Sequence, residues 1–376
     1  MRRFRGCGLC RIDTDHYNPV AGNGNAKASV SKPLSSSLSF FLLATLLFTG
    51  AAFGRHERPR TRFVVQVGGK YGYIDRSGRA VIPPKYGLAW NFTEGLASVS
   101  LITRPGHIGK SGFINEMGKL VIPMRFQYAR EFEDVRAEVE LNDKWGFIDR
   151  VGRFVIKPQY DEVHSFNEGI AAVQLGGEWG FINRYGRQVI PPQYTLAWGF
   201  SEGLSGVYHG GKCGFIDRRN EIVIGFHFNE CRGFAHGGPA PVRIGDRWGY
   251  INKKGEFVVP PTFKNAWPFS EELAPVKLHG KWGYIDPSGK VVIPLQFEDS
   301  GPYVESIGAF SEGLAEVKIG SKWGFINKKG KVVIAPRFLK ASSFHNGMAE
   351  VWDPDCAYID TSGNTIWTSN PKAGAP

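Results

Sequence analysis

The chain has 376 residues with Gly 48, Pro 23, 13% aromatics and a formal net charge of +11. Those numbers are high in turn formers and rings for a globular enzyme and suit many short strands joined by turns. The mildly negative mean hydropathy excludes a polytopic membrane protein, and the modest basic bias, +4 in residues 1–54 and +7 in the rest, fits an acidic partner without indicating a specific nucleic acid.

Residues 1–37 read as a basic, disordered segment. Its Cys7 and Cys10 form a lone Cys-x-x-Cys with no second pair to complete a zinc site, so no metal is expected. Leu38–Gly54 is a run of seventeen residues without charge that ends at Arg55-His56-Glu57-Arg58. It is slightly short for a span and suits a signal-peptide core, with Ala52-Phe53-Gly54 as a cleavage site. The 37 preceding residues are too many for a secretory signal, so either translation begins downstream or the run is an uncleaved membrane anchor. Both place residues 55–376 outside the cytoplasm, because positive charge stays on the cytoplasmic side. Residues 55–61 are a linker, 62–367 an array, and 368–376 a disordered tail.

From Arg62 onward the chain repeats itself. Lys144-Trp145-Gly146-Phe147-Ile148-Asp149 recurs at Glu178–Asn183, Arg247–Asn252, Lys281–Asp286 and Lys322–Asn327. Degenerate copies stand at Lys70–Asp75, Lys110–Asn115, Lys212–Asp217 and Asp355–Asp360. From Gly72 to Ala357 the slot glycines or their equivalents are 40, 34, 34, 34, 35, 34, 41 and 33 residues apart, which defines nine units. The long intervals are insertions around Leu101–His107 and Ser300–Ile307.

Each unit predicts three strands. The first alternates, as in Ala171-x-Val173-x-Leu175, which indicates one buried face. Pro241 and Pro275 on its outward slot predict an edge position, since proline gives no ladder donor. The second strand holds Trp145-Gly146, Trp179-Gly180, Trp248-Gly249, Trp282-Gly283 and Trp323-Gly324. A glycine recurring inside a strand predicts close approach of another backbone or ring. An Asx-x-x-Gly turn follows, as in Asn183-Arg184-Tyr185-Gly186, with Gly at a left-handed position. Asn220, the next-best residue there, is its replacement in unit five. The third strand reads Val-Ile-Pro-Pro, as at Val189–Pro192, and a connection ending Phe-Ser-Glu-Gly-Leu, as at Phe200–Leu204, leads onward.

This combination resembles the WG-repeat (KWG-repeat) family over about Arg62 to Trp367. The resemblance implies a β-repeat scaffold with an interaction role and carries no catalytic residues to transfer. Trp is lost in units one, two, five and nine, and unit five also loses Val-Ile-Pro-Pro and Glu-Gly.

The remaining motifs are better explained by the repeat than by chemistry. Pro83-Pro84-Lys85-Tyr86 and Pro191-Pro192-Gln193-Tyr194 match WW-domain ligands but occupy an ordinary repeat slot. Glu94, Glu168, Glu202, Glu271 and Glu312 share a loop slot, and a catalytic site should break a repeat rather than obey it. No metalloprotease, nucleophile-elbow or phosphate-loop spacing appears, so neither catalytic residues nor a cofactor are expected. Cys213 takes a Trp slot and Cys231 a small-residue slot. Buried thiols are the default reading, and a disulfide is the alternative in an oxidising compartment. Arg76, Arg150, Arg184, Arg218, Lys253 and Lys328 share one turn position, so stacking aligns them on an edge, a candidate binding line, with the acidic slot forming another line.

The expected fold is all-β: about nine three-stranded β-meander repeats of 34 residues, an open β-solenoid in preference to a closed propeller-like ring. The expected role is a non-catalytic scaffold, exported or anchored to the membrane through residues 38–54, for a protein or an anionic cell-surface polymer. The rival is a carbohydrate-active or other enzyme with a Trp/Glu-lined groove.

Overall fold

The computed structural model describes residues 61–104, 107–235, 237–298 and 307–370. The expectations for residues 1–37, 38–54 and 55–60, for Cys7 and Cys10, for most of the second insertion and for residues 371–376 lie outside the described residues. Among the described residues all regular structure is β, and no helix is long and apolar enough to cross a membrane.

The strands form eight antiparallel sheets. A typical one runs Glu162–Val163, Ile170–Leu175, Glu178–Asn183, Gln188–Tyr194 in spatial as in chain order. Most sheets thus gain a fourth, two-residue strand that the sequence pattern did not reveal. The first sheet has six strands and holds two of the Lys-Trp-Gly-type strands. Ala80–Ala89 is long enough to pair on both sides, Tyr71↔Tyr86 with one neighbour and Ala89↔Val99 with the other.

The close approach at the slot glycine is direct. A Cβ on Gly146, Gly180, Gly283 or Gly324 would stand 2.6 Å from an isoleucine carbonyl oxygen of the third strand, and on Gly249 2.5 Å from that of Val259. The first strand departs from expectation. Ala240–Ile244 lies second of four, and Ala240, Pro241 and Val242 are all buried. Sheets stack on both of its faces, so alternation does not mark a solvent side. Pro241 is tolerated because the short strand stops pairing at Cys231↔Val242 and beyond it uses only the Pro241 carbonyl, which accepts from the Arg232 N–H at 3.0 Å. Pro275 accepts likewise from the Trp267 N–H at 3.1 Å.

The core lies between sheets. Trp145, Phe147, Ile156 and Tyr160 of one unit pack against Ala171, Val173 and Ile182 of the next. Every seam repeats a ring pair, such as Phe147–Phe166 at 4.7 Å, Phe181–Phe200 at 5.0 Å and Phe325–Phe344 at 4.8 Å. The series then closes: Tyr358 of the last unit meets Phe63 of the first at 5.6 Å, and its hydroxyl donates to the Val64 carbonyl at 2.9 Å. The turn glycines repeat the same continuity. Gly186 abuts Ile156, Gly363 abuts Ile334, and Gly78 of the first unit abuts Ile366 of the last.

The eight sheets therefore form a closed ring, a β-propeller, and the open solenoid is overturned. An open array would leave Phe63, Val65 and Ile74 wet at one end and Met348 and Tyr358 at the other, and closure buries both sets. Closure joins face to face rather than by exchanging a strand, so no split repeat marks it in the sequence. Trp367, the last residue of the array, packs in the closing cluster.

Cys213 and Cys231 form a disulfide, with Cα atoms 6.0 Å apart, so the thiol reading gives way to the alternative. The bond joins the second strand of unit five to the short strand of the next sheet, where Trp179 and Ala197 meet in a regular unit. Cys356 is buried, and its thiol donates to Glu350 Oε1 at 3.1 Å.

Two outcomes test this architecture. Phe63→Ala with Tyr358→Ala should destabilise as much as Phe181→Ala with Phe200→Ala, about 3–5 kcal/mol per ring in urea unfolding, whereas an open array would barely register the first pair. Cys213→Trp with Cys231→Ala, restoring the regular pairing, should keep the melting temperature of the oxidised protein and make it insensitive to dithiothreitol. Cys213→Ser with Cys231→Ser should instead lose about 3 kcal/mol, the loop-closure value for a bond of this span.

Candidate functional site: a rim of interlocked charges

One rim of the ring is built from two turn types. In the Asx-x-x-Gly turn the Gly186 N–H donates to the Asn183 carbonyl at 2.9 Å, and Asn183 Oδ1 accepts from the Tyr185 and Arg187 N–H groups at 3.0 and 3.1 Å. Gly186 has φ 76°. This geometry holds the second residue, Arg184, out over the rim.

In the Ser-Glu-Gly-Leu turn, Ser201 and Leu204 exchange backbone hydrogen bonds around Glu202 at φ 53° and Gly203 at φ 85°, a type I′ turn. Left-handed φ disfavours glutamate, and asparagine or glycine would fit more easily. The carboxylate explains the choice. Glu168 Oε2 accepts the Gly203 N–H at 3.1 Å, Glu202 that of Gly237 at 2.5 Å, and Glu312 that of Gly347 at 2.8 Å. Glu94 takes the Val135 N–H and Glu271 the Gly313 N–H, both at 3.1 Å. The serine of the same motif also reaches forward: Ser201, Ser270 and Ser311 hydroxyls donate to the Phe234, Phe310 and Phe344 carbonyls at 2.6–2.7 Å. Phe-Ser-Glu-Gly-Leu is thus a clasp on the following unit.

The turn cations close on the same carboxylates. Arg218 meets Glu168 at 2.7 Å, Lys253 meets Glu202 at 3.0 Å and Lys328 meets Glu271 at 3.2 Å. Arg184 binds Asp134 through Nε at 2.7 Å and again through Nη2, and Arg150 Nη2 donates to the Glu94 carbonyl at 2.5 Å. The cationic and acidic rows, expected as separate lines, are one interdigitated line, because each cation reaches a loop about one and a half repeats earlier in the chain. Arg76 has no acidic partner among the described residues, and the loop that closure brings to its position carries Asn346 in place of glutamate. Where unit seven has Pro287 instead of a cation, the corresponding loop, Ala235-His236-Gly237, has no glutamate either.

In the four side-chain ion pairs the cations stay 43–52% exposed and the acids 23–31%. Each pair then contributes about 0–1 kcal/mol and remains open to competition. An open cleft of ≈ 480 Å³ lies in this rim, lined by Glu271, Glu272, Leu273, Asp286, Pro287, Val292 and Lys328. The Ser288 hydroxyl holds Asp286 below the usual carboxylate range.

A second row escaped the sequence reading. Trp90, Arg130, His164, Trp198, Arg232 and Trp267 occupy equivalent, half-buried positions at the short-strand edge of consecutive units. Arg232 stacks on Trp267 at 3.7 Å and on Trp248 at 4.6 Å, Arg130 on Trp145 at 4.2 Å, and His164 on Trp179 at 4.5 Å. Their signal was present as a flat side chain two residues before each connecting phenylalanine. The slot tryptophans Trp145, Trp179, Trp248, Trp282 and Trp323 are only 0–7% exposed and belong to the seams.

Similarity to known proteins agrees with this geometry. The family described as WG containing repeat matches residues 71–101, 112–145, 145–179, 179–213, 214–248, 248–282, 282–323 and 323–351. The chain is a WG-repeat protein. No curated protein matches it in sequence. Among solved structures, the crystal structure of the eukaryotic initiation factor shares the fold of the WG-repeat ring, with TM-score 0.58 at 12% identity over 82% of this chain and 96% of that one. The dihydro-heme d1 dehydrogenase NirN is similar at TM-score 0.45, 13% identity, 84% of this chain and 74% of that one. The extracellular domain of a hybrid two component system from B. thetaiotaomicron gives TM-score 0.32, 11% identity, 84% and 57%. These two are too distant to carry an argument about the WG-repeat chain.

The clasp makes a graded prediction. Glu168→Gln keeps an acceptor for the Gly203 N–H and loses only the ion pair, so its stability should fall by less than about 1 kcal/mol. Glu168→Ala strands that N–H as well and should lose about 1–3 kcal/mol. Equal melting shifts for the two variants would remove the backbone bond from the account.

Proposed function

We propose that the ring is a non-catalytic scaffold that binds a protein partner outside the cytoplasm through its charged rim. The observation that carries this reading is the interdigitation of turn cations with loop carboxylates. A surface that alternates in sign suits a protein of complementary mixed charge. An anionic polymer, uniform in sign, would meet the glutamates along with the cations, which favours protein between the two partners the sequence leaves open. Export is supported by the uncharged run at residues 38–54 and by the Cys213–Cys231 bond, since disulfides persist in oxidising compartments. The groove-enzyme alternative has less in its favour, because the slot tryptophans are buried and the slot glutamates are engaged by backbone N–H groups and cations.

Charge exchange across one pair tests the rim. Arg184→Asp with Asp134→Arg should keep the unfolding free energy within about 1 kcal/mol of wild type, since the pair reforms, yet it should abolish capture of a cross-linked partner from envelope extract. Polyphosphate should bind neither protein at 0.15 M salt. A partner retained by the exchanged variant would exclude the rim, and tight polyphosphate binding would favour the polymer. A topology reporter fused after Pro376 should report from outside the cytoplasm.

A further inference from the structure

First strands run away from the clasps and second strands run back to the Asx turns, so the turn between them lies on the opposite rim. In units one, four and five that turn is a bare Gly-Gly. Unit two carries the first insertion there instead, and its strands Leu96–Arg104 and His107–Asn115 run on as a finger. The finger pairs Ile102↔Ile108 and Arg104↔His107, while its outer neighbours stop at Tyr86↔Leu101 and Ser111↔Phe126. Ile102–Arg104 thus stands clear of the sheet by about 10 Å. On it Leu101, Ile102 and Ile108 are 43%, 41% and 55% exposed.

The charge around the finger has one sign. Lys70, Lys85, Arg104 and Lys110 are exposed, and none has an acidic partner among the described residues. Tyr86 pairs with Tyr71 on one side and Leu101 on the other, which brings Lys70 and Lys85 to the foot of the finger. The acids between Phe63 and Phe126 are Asp75, Glu94 and Glu116, all in turns of the clasp rim. Elsewhere the rim of the finger neutralises itself: Lys144 meets Asp161 at 2.5 Å, Lys264 meets Asp246 at 3.3 Å and Lys281 meets Glu298 at 2.9 Å. Lys70 and Lys110 share the slot of Lys144 and Lys281, but the acid's slot, one residue after the aromatic, holds Gly87 and Gln127. Gln127 is turned to Asp143 at 2.8 Å. Gly87 lies under Ile102, whose Cγ1 would stand 2.7 Å from a Cβ there. One glycine therefore both frees a lysine and seats an aliphatic side chain.

We propose that the finger and its cations dock on an anionic lipid surface, with Leu101, Ile102 and Ile108 entering the headgroup layer and Lys70, Lys85, Arg104 and Lys110 lying on it. The height of the finger matches the depth of about 5–10 Å at which apolar faces rest in that layer. A soluble polyanion would satisfy the cations and leave the isoleucines in water. Anionic lipid takes both, since it offers negative headgroups above an apolar interior. The uniform sign also separates this patch from the alternating clasp rim, which stays free for a protein partner.

Hydrogen exchange of the full chain on vesicles tests the finger. Phosphatidylcholine vesicles control for the uncharged run at residues 38–54, which needs no headgroup charge. On vesicles with about one-third phosphatidylglycerol at 0.15 M salt, the amides of Leu101–Arg104 and His107–Lys110 should slow. On phosphatidylcholine alone they should not, and Ser201–Leu204 in a clasp should exchange alike on both. Ile102→Ser with Ile108→Ser should abolish the slowing. Lys70→Gln with Lys110→Gln should cut it about thirtyfold, the effect of two surface cations at about fivefold each. All four side chains are exposed, so the near-ultraviolet circular dichroism of both variants should match wild type. Free polyphosphate at the same phosphate concentration should leave the rates unchanged. Equal rates on the two vesicles, slowing that survives either pair of substitutions, or slowing by polyphosphate alone would each overturn the proposal.

Discussion

The structure depends on one constraint: no single unit can bury its own apolar faces. A sheet of three or four short strands has two faces, and both are apolar, from Trp145, Phe147 and Ile156 on one side to Ala171, Val173 and Ile182 on the other side of the next sheet. Burial comes entirely from stacking, so stability resides in the seams. A linear stack would always leave two apolar faces in water. The pairing of Phe63, Val65 and Ile74 with Met348 and Tyr358 removes that end penalty by using the same ring-on-ring contact as every internal seam.

The rim follows from the same constraint at a different radius. Where the apolar packing ends, adjacent units still need fixed spacing, and Phe-Ser-Glu-Gly-Leu provides it through backbone acceptors and donors. A glutamate held at left-handed φ is locally unfavourable, and its recurrence makes sense because the carboxylate meets an N–H of the next turn and a cation of the turn beyond. One exception follows the rule, since Pro287 takes a cation's place where Ala235-His236-Gly237 lacks the acid, whereas Arg76 keeps its charge opposite Asn346. The surface available for recognition is therefore also a structural element, and its half-exposed cations lie in an alternating pattern rather than a basic stripe.

Departures from the repeat mark where individual units differ in physics. Unit five replaces tryptophan with Cys213 and ties the seam by a bond to Cys231 where regular units bury the indole. Unit three has Glu131, Glu133 and Glu138 where its neighbours are neutral, and burial raises all three carboxyls. Both changes occur inside seams, where a substitution affects two units at once.

The three longer strands of each unit and their turns were legible in the sequence. Period-two alternation places strands, Asx-x-x-Gly places left-handed turns, and the recurring slot glycine signals a backbone within 2.6 Å, as found at Gly146 and Gly180. These are interactions within a strand or a turn, and the residues that make them are neighbours in the chain. Closure was not legible, because it depends on the small angle between successive sheets summed around the array, and no residue encodes a sum. The burial of Pro241, the Cys213–Cys231 bond and the merging of cationic and acidic rows were hidden for a related reason. Each joins residues whose meeting is decided only when one sheet docks on another, and the sequence, read as single units, does not contain that docking.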